Sequence, residues 1–332
     1  MAVIESNYLT LIDWANRKDP NGRIPAIVEM MNKTNDILDD MGFIEGNLPT
    51  GHETTIRTGL PTVAWRQINK GVQPSKSKTV KHTDVCGRLE AFSEIDEALV
   101  ELAPDVSSFR LSEDQPFIEA MNQEMAATVF YGDLRKTPDR FLGIAPRFSQ
   151  TSADSGENIL NGGLAGDAGT RRTSIYLVGW GEHTVHGIFP KGTRAGLQHE
   201  DLGRVEIRDS DGGTYMGYKG HYTLRMGFCV RDWRYIVRIA NIDLDTLNGS
   251  SPVNLMKLMI EASEIIPKLG LCKPSFYCVR EVRTALRNQI LDKSNVNLTW
   301  DTVAGKRVLA FDEIPVRRCD AIRKDEAAVS FS

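Results

Sequence analysis

Apolar residues recur along this chain with periods that change several times, and the changes divide it. Residues 7–15 form a short amphipathic piece, broken by Arg-Lys-Asp-Pro-Asn-Gly at 17–22. A second helix is predicted over about 25–41, with Ile27, Met31, Leu38 and Met41 near one stripe, Pro25 in its first turn and Gly42 as its stop. Asn32, Asn35, Asp36, Asp39 and Asp40 keep that stripe narrow, which suits a helix lying along a surface.

Residues 46–92 predict a long hairpin. In PTVAWRQINKGVQPSKSKTVKHT, Val63, Trp65 and Gln67 would share one face of a strand and Ala64, Arg66 and Ile68 the other, with the turn at Gly-Val-Gln-Pro-Ser. Neither face is apolar enough to sit on a core. Arms of about 15 residues would reach ~50 Å, and a lone two-stranded hairpin is marginal in water. Something outside its own domain is therefore expected to hold it.

Next, LSEDQPFIEAMNQEMAATVFYGD predicts a helix over about 112–132. Ser112 is its expected cap and Gln115 the capping-box partner, Phe117, Met121, Met125 and Val129 its buried stripe, and Gly132 its stop. Residues 149–172 are rich in Gly, Ser, Asn and Asp and read as a long loop. The period then becomes two. Strands are predicted at 173–180 and 183–189, and a hairpin turns at Asp211-Gly212.

The clearest alternation is HYTLRMGFCVRDWRYIVRIANID, a strand pair. Tyr222, Leu224, Met226, Phe228 and Val230 share one face, as do Trp233, Tyr235, Val237 and Ile239; Arg225, Arg234 and Arg238 fall on the opposite, solvated or partnered side. Helical spacing returns after Ser251, the expected cap, with Pro252 in the first turn and Leu255, Leu258, Met259, Ala262, Ile265 and Ile266 on one face. PSFYCV reads as a buried strand and REVRTALRNQI as a helix carrying Val282, Leu286 and Ile290. The chain closes with two strands about a turn at Pro315. The fold class is α+β, without repeats.

Composition narrows the function. The 332 residues are 41% hydrophobic and 25% charged, as in ordinary globular proteins, and suffice for one large domain or two of usual size. A formal net charge of −4 argues against a dedicated nucleic-acid binder. Cys86, Cys229, Cys272, Cys278 and Cys319 are scattered without a CxxC pair, so reduced thiols and no zinc site are expected. The start has no signal-peptide pattern and no apolar run approaches a membrane span, so a soluble intracellular chain is expected.

Catalytic chemistry is hard to find. His183 and His186 would lie on opposite faces of a strand and could not chelate one ion together. NGGLAGDAGT lacks both the lysine of a phosphate loop and GxGxxG spacing. DSDGG at 209–213 would need a Glu at its twelfth position to bind calcium and has Gly220 there, so it reads as a turn. No nucleophile elbow is present, and the carboxylate pairs lie in polar stretches where nothing would raise a pKa. No catalytic residue, cofactor or metal is expected.

The order of parts, namely arm, long hairpin, long helix and then two α/β regions, resembles the major capsid proteins of tailed bacteriophages, the HK-ninety-seven-type fold. GLPTVAWRQINKGVQPSKS, DRFLGIAPRF, IYLVGWGEHTVHGIFPKG, RMGFCVRDWRYIVRIANI, NLMKLMIEASEIIP and FDEIPVRRCDAI are similar to stretches of short-tailed phage capsid subunits. The resemblance implies an N-terminal arm at 1–45, an E-loop at 46–92, a P-domain with its spine helix at 93–245, and an A-domain at 246–332. The strands over 222–242 precede the helix over 252–266, which implies a permuted segment order.

The implied function is a non-enzymatic subunit that assembles with itself, as hexamers and pentamers, into an icosahedral shell around double-stranded DNA. Implied partners are a separate scaffolding protein (no coiled-coil leader is present), a portal protein, a possible decoration protein, and the packaged DNA without sequence specificity. Localisation would be the virion, after assembly in the host cytoplasm. Trp65 is the expected anchor of an inter-subunit contact, with Arg66, Lys70, Lys76 and Lys78 meeting Glu113, Glu119 and Glu124 of a neighbour. A bacterial nanocompartment shell of the same fold and a soluble metal- or nucleotide-dependent enzyme are the alternatives.

Overall fold

The computed structural model describes residues 35–103, 105–163, 171–209, 212–247, 253–291, 298–303 and 306–331. The two helices expected before residue 35 lie outside these, apart from a last turn, Ile37–Asp40. Thirteen strands are described: β1 (Phe43–Glu45), β2 (Gly51–Gly59), β3 (Lys78–Asp96), β4 (Ile159–Asn161), β5 (Arg172–Trp180), β6 (Val185–Phe189), β7 (Leu197–Arg208), β8 (Thr214–Val230), β9 (Ile236–Asp243), β10 (Lys273–Cys278), β11 (Leu298–Val303), β12 (Lys306–Phe311) and β13 (Ile314–Arg318). Helices occupy Val106–Tyr131, Leu255–Ile265 and Arg280–Leu291, with shorter turns at Glu97–Glu101 and Ile144–Arg147. The class is α+β, as the sequence predicts.

Residues group into two compact units. In one, made of Arg88–Met125 and Gly196–Arg225, a small core gathers Ile95, Leu99, Val100 and Phe109 with Ala103 and Tyr218 packed against it. Asp96 caps the turn Glu97–Glu101 by accepting from the Ala98 amide at 2.8 Å. β7 and β8 form the expected hairpin, closed by the Asp209 amide donating to the Gly213 carbonyl, with Gly212 at φ +85°.

The long helix begins six residues earlier than the sequence suggests and runs 26 residues, ~39 Å. Asp105, not Ser112, caps it, accepting from the Ser107 amide at 3.0 Å and the Ser108 hydroxyl at 2.7 Å. Its extra turns bring Phe109 to the small core, and that burial carries the helix through Pro116 despite the missing backbone donor. Met121, Met125 and Val129 are buried as predicted, whereas Phe117, expected with them, is only partly buried. The helix ends before Gly132, where only glycine fits because a Cβ would meet the Phe141 carbonyl oxygen at 2.2 Å.

The second unit holds Thr34–Gly87, Ala126–Ala195 and Met226–Ser332. Its centre is β5, buried along all nine residues, between β10 and β9, both antiparallel to it. A strand covered on both faces reads as a continuous apolar run instead of an alternation. β10 continues to β13 in parallel, and β12 and β11 extend that edge.

Several local expectations change. β8 and β9 follow each other but do not pair; β9 lies against β4 and β5. Trp233–Tyr235 is a 3-10 turn capped by Asp232, so the alternation does not extend through it. Arg238, expected on a solvated or partnered face, is 4% exposed and paired within the chain. The loop at 149–172 contains a 3-10 turn, Asp154–Asn158, and β4. The last turn is Asp312-Glu313, at φ 49° and 66°, and Pro315 sits inside β13. Asn254 caps the helix Leu255–Ile265 by accepting from the Lys257 amide at 3.2 Å, whereas Ser251 and Pro252 lie outside the described residues.

Buried Arg238 organises the C-terminal segment. It donates to Glu326 at 2.8 Å, to the Ser174 hydroxyl at 3.1 Å and to the Phe148 carbonyl at 2.8 Å. Tyr176, Tyr131 and Ser174 donate their hydroxyls to the same Glu326 carboxylate. Asn241 fastens the chain further on, exchanging bonds of 2.7 and 2.9 Å with the backbone of Val329.

Candidate assembly interface

β2 and β3 form the predicted hairpin, but only its lower part is a ladder, from Gly51↔Val85 to Gly59↔Lys78. The expected strand over 61–68 is absent. Residues 60–77 form an extended tip with a turn at 67–70, where the Lys70 amide donates to the Gln67 carbonyl at 3.2 Å and Asn69 takes φ 64°. The Arg66 guanidinium donates to the Lys70 carbonyl at 3.0 Å, and Ser75 to the Thr62 carbonyl at 2.8 Å. These bonds curl the tip around an open cup of about 370 Å³.

What distinguishes the tip is its apolar exposure. Leu60, Val63, Trp65 and Ile68 are 81%, 91%, 102% and 91% exposed, and Val72 is 48% exposed. So many large apolar side chains exposed within one short stretch mark an interaction surface. Trp65, Arg66, Lys70 and Lys76 all lie on the tip, and Lys78 opens β3 beside it, all exposed. Glu113, Glu119 and Glu124 lie on the long helix, where Glu119 accepts from the Gln123 amide at 2.8 Å. The tip is unburied, as its composition predicts, but it is not the two-faced strand expected, since no sequence period distinguishes an exposed strand from an exposed coil.

The root of the hairpin is fixed by charge and close packing. Asp84 on β3 is 4% exposed and receives Arg147 at 2.5 Å, His82 at 3.2 Å and the Val230 amide at 3.3 Å. Burial alone would raise its carboxyl, but the hydrogen bond from His82 and the Arg147 charge and hydrogen bond bring it down to about 2. Gly51 has no room for a side chain, because a Cβ would stand 2.1 Å from the Asp84 carbonyl oxygen. On the outer edge, Lys81 meets Glu53 at 2.7 Å across the ladder, an exposed pair of small energetic consequence. Next to Asp84 lie His52, His186 and Cys229; burial, then the neighbouring His52, pushes the His186 ring down to about 4. His183 is exposed in the turn before β6, so the two histidines do not meet, as predicted.

An extended hairpin with an exposed apolar tip, rooted in a buried sheet, defines a subunit built to join other protein surfaces. The family described as major capsid protein GP7 matches residues 19–330, and the chain belongs to that family. It is similar to a chain of bacteriophage Epsilon15 solved by cryo-EM, with 33% identity, 99% of each chain covered and a TM-score of 0.79. It shares its fold with the bacteriophage JBD30 capsid, at 8% identity, 88% of this chain and 93% of that one, and a TM-score of 0.50. The holo-SrpI encapsulin complex from Synechococcus elongatus matches at 9% identity over 71% of this chain and 97% of that one, with a TM-score of 0.44, too low to carry weight. No curated protein is detectably similar in sequence. The fold is the HK-ninety-seven type of tailed-phage capsids, and the protein is a structural capsid subunit of a virion shell, not an enzyme.

Proposed function

We propose that this subunit closes its shell by seating the tip at 60–77 on a neighbouring copy. The five exposed apolar side chains of the tip carry this reading, because nothing among the described residues buries them and a neighbouring chain can. Trp65 is the anchor. Around it, Lys70, Lys76 and Lys78 face acidic surface of the neighbour, including Glu113, Glu119 and Glu124, while Arg66 also shapes the tip through its bond to Lys70. Many such contacts, each weak, become strong together through effective concentration.

In this reading the shell is built of hexamers and pentamers around double-stranded DNA held without sequence specificity. Residues 1–45 serve as arm, 46–92 as E-loop, 93–245 as P-domain and 246–332 as A-domain. Assembly takes place in the host cytoplasm on a separate scaffolding protein, with a portal at one vertex and room for a decoration protein outside. The relationship to the Epsilon15 chain over 99% of both supports a phage shell over a nanocompartment.

The test is co-expression with a candidate scaffolding protein, followed by sedimentation and electron microscopy. Closed shells from the parent chain, lost in the double reversal Lys76→Glu/Lys78→Glu and recovered when Glu119→Lys/Glu124→Lys is added, are the expected result. Shells unaffected by the reversal would remove the charge pairing. A persistent monomer or dimer from the parent chain would remove the shell reading.

A further inference from the structure

His186 on β6 and Cys229 on β8 are direct cross-strand partners in the antiparallel pairing of those strands. His52 on β2 approaches the same point, its ring 6.0 Å from that of His186 in an edge-on arrangement. One donor atom from each of the three residues lies within 4.8 Å of the other two. His186 is 2% exposed and Cys229 fully buried, while His52 is half-buried and opens the cluster towards solvent.

The ring of His186 is the anomaly. Neither Nδ1 nor Nε2 has a hydrogen-bond partner, although both are buried. Gly181 backbone is near enough to favour a charged ring, but not at hydrogen-bonding geometry. Buried polar atoms in folded proteins are nearly always satisfied, so an imidazole with two orphaned nitrogens beside a thiol and a second imidazole needs a reason.

We propose that His52, His186 and Cys229 form a three-ligand site for a borderline-soft divalent cation of the zinc type, with a fourth position open on the His52 side. Two imidazoles and one sulfur suit such an ion better than a hard one such as magnesium or calcium. Bond lengths of ~2.0–2.3 Å place ligand atoms around a tetrahedral ion roughly 3.5 Å apart, so the three donors close by about 1 Å on binding. Cys229 binds as the thiolate and releases its proton to solvent.

The surrounding charges are mixed. Asp84 borders all three residues and favours a cation, whereas Arg231, near all three, and Arg147, near Cys229, oppose one. Two local bonds are exchanged: the Cys229 thiol gives up its hydrogen bond to Asp84, and His52 gives up one from the Asn47 backbone. The Asn47 amide donates to His52 Nδ1 at 3.3 Å, and ligation through either ring nitrogen gives up that long contact. The ion would tie β2, at the root of the hairpin, to β6 and β8. None of this depends on shell assembly, because every ligand comes from one chain.

The experiment uses the full-length chain, stripped with chelator and re-equilibrated with zinc chloride alone, then with cobalt chloride. The expected result is about one zinc per chain, an intense near-ultraviolet cobalt–thiolate band in the parent protein, and affinity lowered about 10–100-fold by His52→Asn or Cys229→Ser. His52 is half-buried, so its variant keeps the fold, and the cobalt band on the parent chain needs no variant at all. Zinc at far below one per chain, a cobalt complex without the thiolate band, or binding unchanged in His52→Asn would each overturn the site. Surface binding at His82, His183, His199 or His221 gives no thiolate band.

Discussion

Arg147 reaches Asp84 at 2.5 Å, and the pair joins the root of the hairpin to the short turn Ile144–Arg147 with both side chains nearly out of solvent. Two ions taken from water together are tolerated, but either one left alone is not. The exposed arm therefore stands on a root whose stability depends on charge.

The pH dependence has a defined sign. Asp84 has its carboxyl held below the ordinary 3.8, at about 2, so it contributes stability that is complete above about pH 4 and lost as pH falls towards 2. The difference corresponds to about 2 kcal/mol. Urea unfolding of the parent chain between pH 5 and 2 should lose that amount, and Asp84→Asn should flatten this part of the profile. A parent profile already flat there would contradict the assignment.

Removing Glu326 leaves Arg238 charged and unpaired in the interior, with three hydroxyls deprived of their acceptor. Glu326→Ala should cost about 3–5 kcal/mol, and limited proteolysis should release the segment after residue 320 sooner than in the parent. Equal cleavage rates would mean that the Asn241–Val329 bonds alone hold that segment.

Trp65 is wholly exposed in the single chain. Trp65→Ala should therefore leave chemical unfolding of the isolated subunit within about 0.5 kcal/mol of the parent, while the yield of fast-sedimenting shells drops. A stability loss without an assembly defect would relocate Trp65 from the interface to the subunit itself.

The β12–β13 turn places Asp312 and Glu313 in left-handed backbone at φ 49° and 66°. Two residues with φ above zero suit Asn-Gly better than Asp-Glu. Asp312→Asn with Glu313→Gly should raise stability by about 1 kcal/mol, read from the urea midpoint at unchanged slope.

Local pattern determined much of this protein. The hairpin, the Met121/Met125/Val129 stripe, the β7–β8 turn, the buried strand at Lys273–Cys278 and the helix after it are all legible, because each depends on a period or a turn residue within a few positions. The family resemblance was legible for the same reason: it rests on the order of such parts. What the sequence alone could not decide is whatever depends on distant partners. Burial of Phe109 against Ile95 and Leu99 moved the helix start from Ser112 to Val106, and Glu326, 88 residues away in sequence, is the partner that holds Arg238 in the core instead of on a solvated face. His52, His186 and Cys229 come from three strands, so no spacing rule joins them. Period reports which side of an element is apolar; only the tertiary pairing of strands decides what that side meets.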